Sequence, residues 1–85
     1  MRIGPVLVVD SWYVEGVRTP KGFYVIDVQP PAPPWAPRTR LTTRDYGLYS
    51  DCLGVEGLPI PLMLEYHRAG GQNVLEAVEM AEGKS

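Results

Sequence analysis

The chain has one cysteine, one histidine and one phenylalanine, and each scarcity removes a class of explanation. Cys52 alone can form neither an internal disulfide nor a Cys-x-x-Cys pair. Cys52 and His67 together fall short of the four-ligand set of structural zinc, so no metal or cofactor is expected. Long apolar runs are missing as well. The opening stretch carries one positive charge and its apolar run ends at Asp10, too short for a membrane span and a poor match to a signal peptide. The expectation is a reducing, cytoplasmic setting without membrane contact. No internal repeat is present.

Catalytic constellations are equally scarce. Nucleophilic hydrolysis needs a nucleophile beside a general base that a third group orients. Cys52 and His67, with Asp27, Asp45 or Asp51 as third member, are the only such set, and no spacing selects them. Asp45 and Asp51 could meet across a hairpin, but solvated turn charges are the common outcome. Gly83-Lys84-Ser85 matches the end of a phosphate-binding loop, yet the earlier glycine that such a loop needs falls on Val78. A non-enzymatic role is expected.

What is present is a β-rich pattern. With 45% hydrophobic and 21% charged residues, the chain reads as one domain over residues 1–85. A chain of this size buries only roughly 60% of its unfolded surface, so the core will be thin. Val6 to Glu15 is rich in β-branched and aromatic residues. Strict alternation would put Val6, Val8, Trp12 and Val14 on one face, with Trp12 in the core. Residues 16–22 supply a turn, with Pro20 setting φ and Gly22 free to take a positive φ, and Phe23 to Val28 returns as the second strand.

Farther along, short strands are expected at Leu41–Thr43 and Leu48–Cys52 with Asp45-Tyr46-Gly47 as their turn, and another strand within Leu58–His67. Residues 73–83 favour a short helix. Asn73 can cap it, Glu76 occupies the capping-box position and Gly83 can end it, while a final strand competes for the same residues. The assembly expected is mainly β: a small barrel or curled antiparallel sheet, of the oligonucleotide-binding or SH3-like kind, with a short C-terminal helix.

The most distinctive stretch is QPPAPPWAPRTR, residues 29–40. Its prolines lack amide donors and push their neighbours toward extended geometry, which predicts a stiff arm of roughly 25 Å over residues 30–37. Its overlapping Pro-x-x-P units lack the basic residue at the position that a common SH3 ligand would have, since Ala36 and Thr39 stand there. Charge is uneven along the chain. Arg18, Lys21, Arg38, Arg40 and Arg44 face only Asp27 between residues 18 and 44, whereas Arg68 and Lys84 face seven acids after residue 44.

Two functions follow. The first is protein interaction or homo-oligomer assembly through the arm, with Pro34, Trp35, Arg38 and Arg40 as contacts. The alternative is binding of single-stranded DNA or RNA by Arg18, Lys21, Tyr24, Trp35, Arg38, Arg40 and Arg44, where cations track phosphates and rings stack on bases. Five phosphate contacts would give a logarithmic salt slope of about −3.5. The acids would oppose this unless they occupy the opposite face.

Overall fold

The computed structural model describes residues 1–16 and 22–81. Arg18, Lys21 and the Pro20–Lys21 hairpin tip lie outside the described residues. Five strands and one helix follow in order: β1 (Arg2–Val14), β2 (Phe23–Gln29), β3 (Thr39–Thr43), α1 (Tyr46–Leu53), β4 (Leu62–Ala69) and β5 (Gln72–Met80). They close into a barrel of order β1-β2-β3-β5-β4. The small barrel with one short helix is the architecture that the composition leads one to expect. β5 sits between β3, which it meets in parallel through a single bridge, and β4, which it meets antiparallel, so the closed sheet is not, as expected, wholly antiparallel.

Closure depends on β1, whose first half pairs with β4 and whose second half pairs with β2. Two irregularities let it turn that corner. Gly4 and Pro5 together oppose Met63, between the pairs Ile3–Leu64 and Val6–Leu62. Val9 is an extra residue between the pairs Val8–Val28 and Asp10–Asp27. An extra residue reverses which face the following side chains occupy. Val6 and Val8 are therefore buried, whereas Trp12 and Val14, of the same parity, emerge on the outside. This overturns the expected core position of Trp12.

The C-terminal segment is the strand, not the favoured helix. Gly70 and Gly71, with φ of 58° and 79°, form a two-residue turn that sends β5 back along β4, with Ala69 opposite Gln72. Glu76 is an extra residue opposite the Glu65–Tyr66 step. It places the inward side chains Leu75 and Val78 three residues apart, a spacing that imitates a helix. Asn73, which reads as a helix cap, instead donates from Nδ2 to the Arg40 carbonyl at 3.0 Å.

The helix lies where a strand and turn were expected. Asp45 caps α1 by accepting from the Leu48 amide at 3.2 Å, and its own amide donates to Thr43 Oγ1 at 3.0 Å. Leu48, Tyr49 and Cys52 then face the core at helical spacing, and α1 packs against β1, β2, β3 and β5. The interior it joins consists of Val6, Val8, Ile26, Val28, Leu41, Leu62, Leu64 and Leu75. Tyr24 stacks on Tyr49 with centroids 4.1 Å apart, and Tyr13 and Tyr46 flank the pair. Gly22 is required by space rather than by a positive φ: a Cβ there would stand 1.9 Å from the Val14 carbonyl oxygen.

Burial pushes the Cys52 thiol up to about 12, with Asp51 adding to the rise. The folded chain therefore keeps a proton that an unfolded thiol, near 9.0, gives up. This contribution to stability is fully present below the unfolded value and is lost as pH climbs through the folded one, at about 1.4 kcal/mol per pH unit. The unfolding free energy of the wild-type chain should fall more steeply with pH than that of Cys52→Ala above the unfolded thiol value. Denaturant titrations of both chains check this, and parallel curves throughout would contradict it.

Candidate functional site

The outer face of β1, β2 and β3 carries two rows of side chains. In the first, Trp12 lies beside Val25, which lies beside Thr42; in the second, Asp10 lies beside Asp27, which lies beside Arg40. Val14 and Phe23 continue the apolar end, and the β4–β5 turn brings Gly71, Gln72 and Asn73 alongside. Together with Arg38 these residues line a groove of about 560 Å³. A second hollow of about 360 Å³ shares Phe23, Thr42 and Gln72 with it and continues to Arg44. Arg38 and Arg40 thus line the groove, and Arg44 lines the hollow that adjoins it.

Asp27 organises its centre. The residue is 5% exposed, and its carboxylate accepts two hydrogen bonds from Arg40, Nε to Oδ1 at 2.9 Å and Nη2 to Oδ2 at 3.2 Å. This two-pronged match suits a planar guanidinium and a carboxylate. The hydrogen bond and charge of Asp27, with a smaller contribution from Asp10, hold the Arg40 pKa above its ordinary value. Arg40 is thereby set over the Trp12 ring, Cζ 4.9 Å from the centroid. Behind it, Arg68 donates to Asn73 Oδ1 at 3.1 Å while Asn73 holds the Arg40 carbonyl, tying β4 and β5 to β3.

The residues singled out from the sequence divide among several places. Arg38 and Arg40 line the groove, and Arg44 the adjoining hollow. Tyr24 points to the other side of β2 and belongs to the tyrosine stack. Pro34 and Trp35 stand on the loop between β2 and β3, which is not the straight rod expected. The Ala36 amide donates to the Pro33 carbonyl at 3.0 Å, closing a turn. Gln29 Nε2 donates to the Pro34 carbonyl at 3.2 Å and reaches that of Ala36 at 3.5 Å. Trp35 is left 81% exposed at the tip.

Phe23, Gln72, Asn73 and the outward placement of Trp12 had no signal in the sequence, because they follow from the bulge and the β4–β5 turn. Three of the acids after residue 44 gather elsewhere. Glu65 and Glu79 pair with Arg2 at 3.6 and 3.2 Å, and Glu76 meets His67, on the outer surface of β4 and the later part of β5. Cys52 is enclosed in the core while His67 is exposed on β4. Among the described residues no three Cys, His, Asp or Glu side chains form a metal-binding group, and no helix is long and apolar enough to cross a membrane.

If Asp27 holds Arg40 over Trp12, then Asp27→Asn and Arg40→Lys, each in a Trp35→Phe background, should both weaken the near-ultraviolet circular dichroism of Trp12. Lysine cannot reproduce the two-pronged bond. The far-ultraviolet β signal should persist. An unchanged Trp12 band would show that the pair does not orient the ring.

No family model, curated protein or solved structure matches the chain.

Proposed function

We propose that the groove on β1, β2 and β3 binds single-stranded nucleic acid. The observation that carries this reading is the half-buried Trp12 ring in a groove lined by Arg38 and Arg40, with Arg44 in the adjoining hollow. Bases need a flat apolar surface to stack on, and the backbone needs cations along its path. Trp12 and Phe23 offer the first, and alternate positions of β3 and its flanks offer the second. Side chains two residues apart on a strand stand about 6.6 Å apart, so Arg38 and Arg40 serve neighbouring points of a chain lying along the groove. Gln72 and Asn73 add polar groups at the rim, and stacking of this kind tolerates sequence variation.

The charge distribution supports the reading in two ways. Asp27 is occupied by Arg40, and Glu65, Glu76 and Glu79 are engaged on the β4–β5 surface. A net charge of −2 is thus compatible with a locally cationic groove. The lone, enclosed thiol of Cys52 fits a reducing, cytoplasmic compartment. The exposed, tethered Trp35 favours a second reading, a non-enzymatic protein contact through Pro34 and Trp35 on the arm.

Titration of an oligothymidylate into a Trp35→Phe chain, followed by Trp12 fluorescence, tests the groove. Binding should weaken with salt at a logarithmic slope of about −1.4 if Arg38 and Arg44 each neutralise one phosphate, Arg40 being engaged by Asp27. Trp12→Ala should cost about 1–3 kcal/mol of affinity, and Arg38→Ala should make the slope shallower by about 0.7. Absence of binding at low salt would remove this reading.

A further inference from the structure

A second depression lies apart from the Trp12 groove. It is about 590 Å³, and its walls are Pro5 and Leu7 of β1, Pro31 of the arm, Pro59 and Pro61 before β4, and Met63, with Ala81 at one end. None of these residues is charged. Prolines bring no amide donor, so the walls present rings, methylenes and a thioether, a surface suited to an apolar aromatic side chain. The depression adjoins a smaller hollow that shares Pro59 and Pro61 and adds Ile60 and Met80. Leu58 and Met80 are also exposed.

The same arm that supplies Pro31 to the wall carries Trp35 four residues later. The Pro33–Ala36 turn and the Gln29 hydrogen bonds hold that loop closed, and the indole is left uncovered by its own chain. An exposed aromatic knob and one wall of an uncharged hole thus lie on one short segment, the remaining walls coming from β1, the approach to β4 and β4 itself. A two-fold dimer needs this self-complementary arrangement, because one patch must meet its own copy. We propose that the chain forms a two-fold dimer in which Trp35 of each copy fills the proline-lined depression of the other. Each indole buries about 150–250 Å². The two indoles and the walls they cover then account for roughly 600–1,000 Å², below the size of a standard specific interface, which is the range of a weak, transient dimer.

The inference rests on the arm-contact reading and is separate from the nucleic-acid groove, so its test contains no nucleic acid. Sedimentation of the full chain from about 1 μM to 1 mM should show the mass rising from one chain to two, with little dependence on salt. Trp35→Ala and Met63→Lys should each move the midpoint upward by at least about 30-fold, the scale of a central aromatic contact, with the β signal retained. If Met63→Lys loses that signal, Pro59→Glu at the exposed rim replaces it. Mixing the two variants should restore a mixed dimer, since an intact Trp35 then meets one intact depression. A single-chain mass throughout, as expected if the depression serves a different protein, would overturn the proposal. So would a dimer that Trp35→Ala leaves unchanged, or a mixture that forms no mixed dimer.

Discussion

Val9 has no partner across the β1–β2 ladder, and the arrangement of the molecule follows from that one surplus residue. Before it, β1 sends Val6 and Val8 into the barrel; after it, Trp12 and Val14 turn to the outer face, while Tyr13, 49% exposed, packs on Tyr24. The bulge is held from the far side of the chain. The Val8 carbonyl accepts from the Gly57 amide at 3.0 Å, and the Ser11 hydroxyl donates to Glu56. The segment after α1 therefore secures the kink that presents the Trp12 ring. A bulge at this point serves closure and surface chemistry together, since the twist that lets β1 join two neighbours also exposes an aromatic side chain.

A polar pair completes what the bulge begins. Asp27 is enclosed on the outer face of β2, where a carboxylate without a partner would be costly. Arg40 supplies the partner, and the cost of leaving Asp27 alone fixes where the guanidinium rests. The consequence is a preset site: ring, cation and anion occupy defined positions without a ligand. The other half of the barrel handles its charges differently, with Arg2, Glu65 and Glu79 in half-exposed pairs of the kind that contribute little to stability.

Much of the fold was legible in local pattern. The first hairpin, the unpaired proline segment and the cations beyond it all follow from β-branched runs, missing amide donors and charge. The bulges were not legible, because nothing in Val8-Val9-Asp10 or Leu75-Glu76-Ala77 marks one residue as surplus; the partner strand decides that. Most errors trace to one of these points or to a cap, whereas the arm departs from a rod because the Ala36 amide closes a turn on the Pro33 carbonyl. Trp12 was assigned inward by unbroken alternation. Residues 73–83 favoured a helix because Asn73, Glu76 and Gly83 read as helix-end signals, whereas Glu76 is the extra residue of a bulge and Asn73 holds the Arg40 carbonyl. Residues 46–53 were divided between turn and strand because Asp45 was read as a turn residue when it caps a helix. The candidate site was half legible: the arginines were visible as a cluster, but the surface that gives them a common direction is assembled from three strands and the β4–β5 turn.

The closed barrel also limits how copies of this chain can associate. An open sheet ends in a row of unpaired amides and carbonyls, which can accept another strand and then another, without limit. Here β1 is paired on both sides by switching neighbours along its length, and β5 is shared between β3 and β4. No described strand therefore has a wholly unpaired edge, and templating is confined to short stretches such as those of β3 and β5 beyond their single bridge at Thr42 and Val74. A larger body then grows more readily through shaped side-chain surfaces, which saturate once filled and favour counted assemblies over fibres.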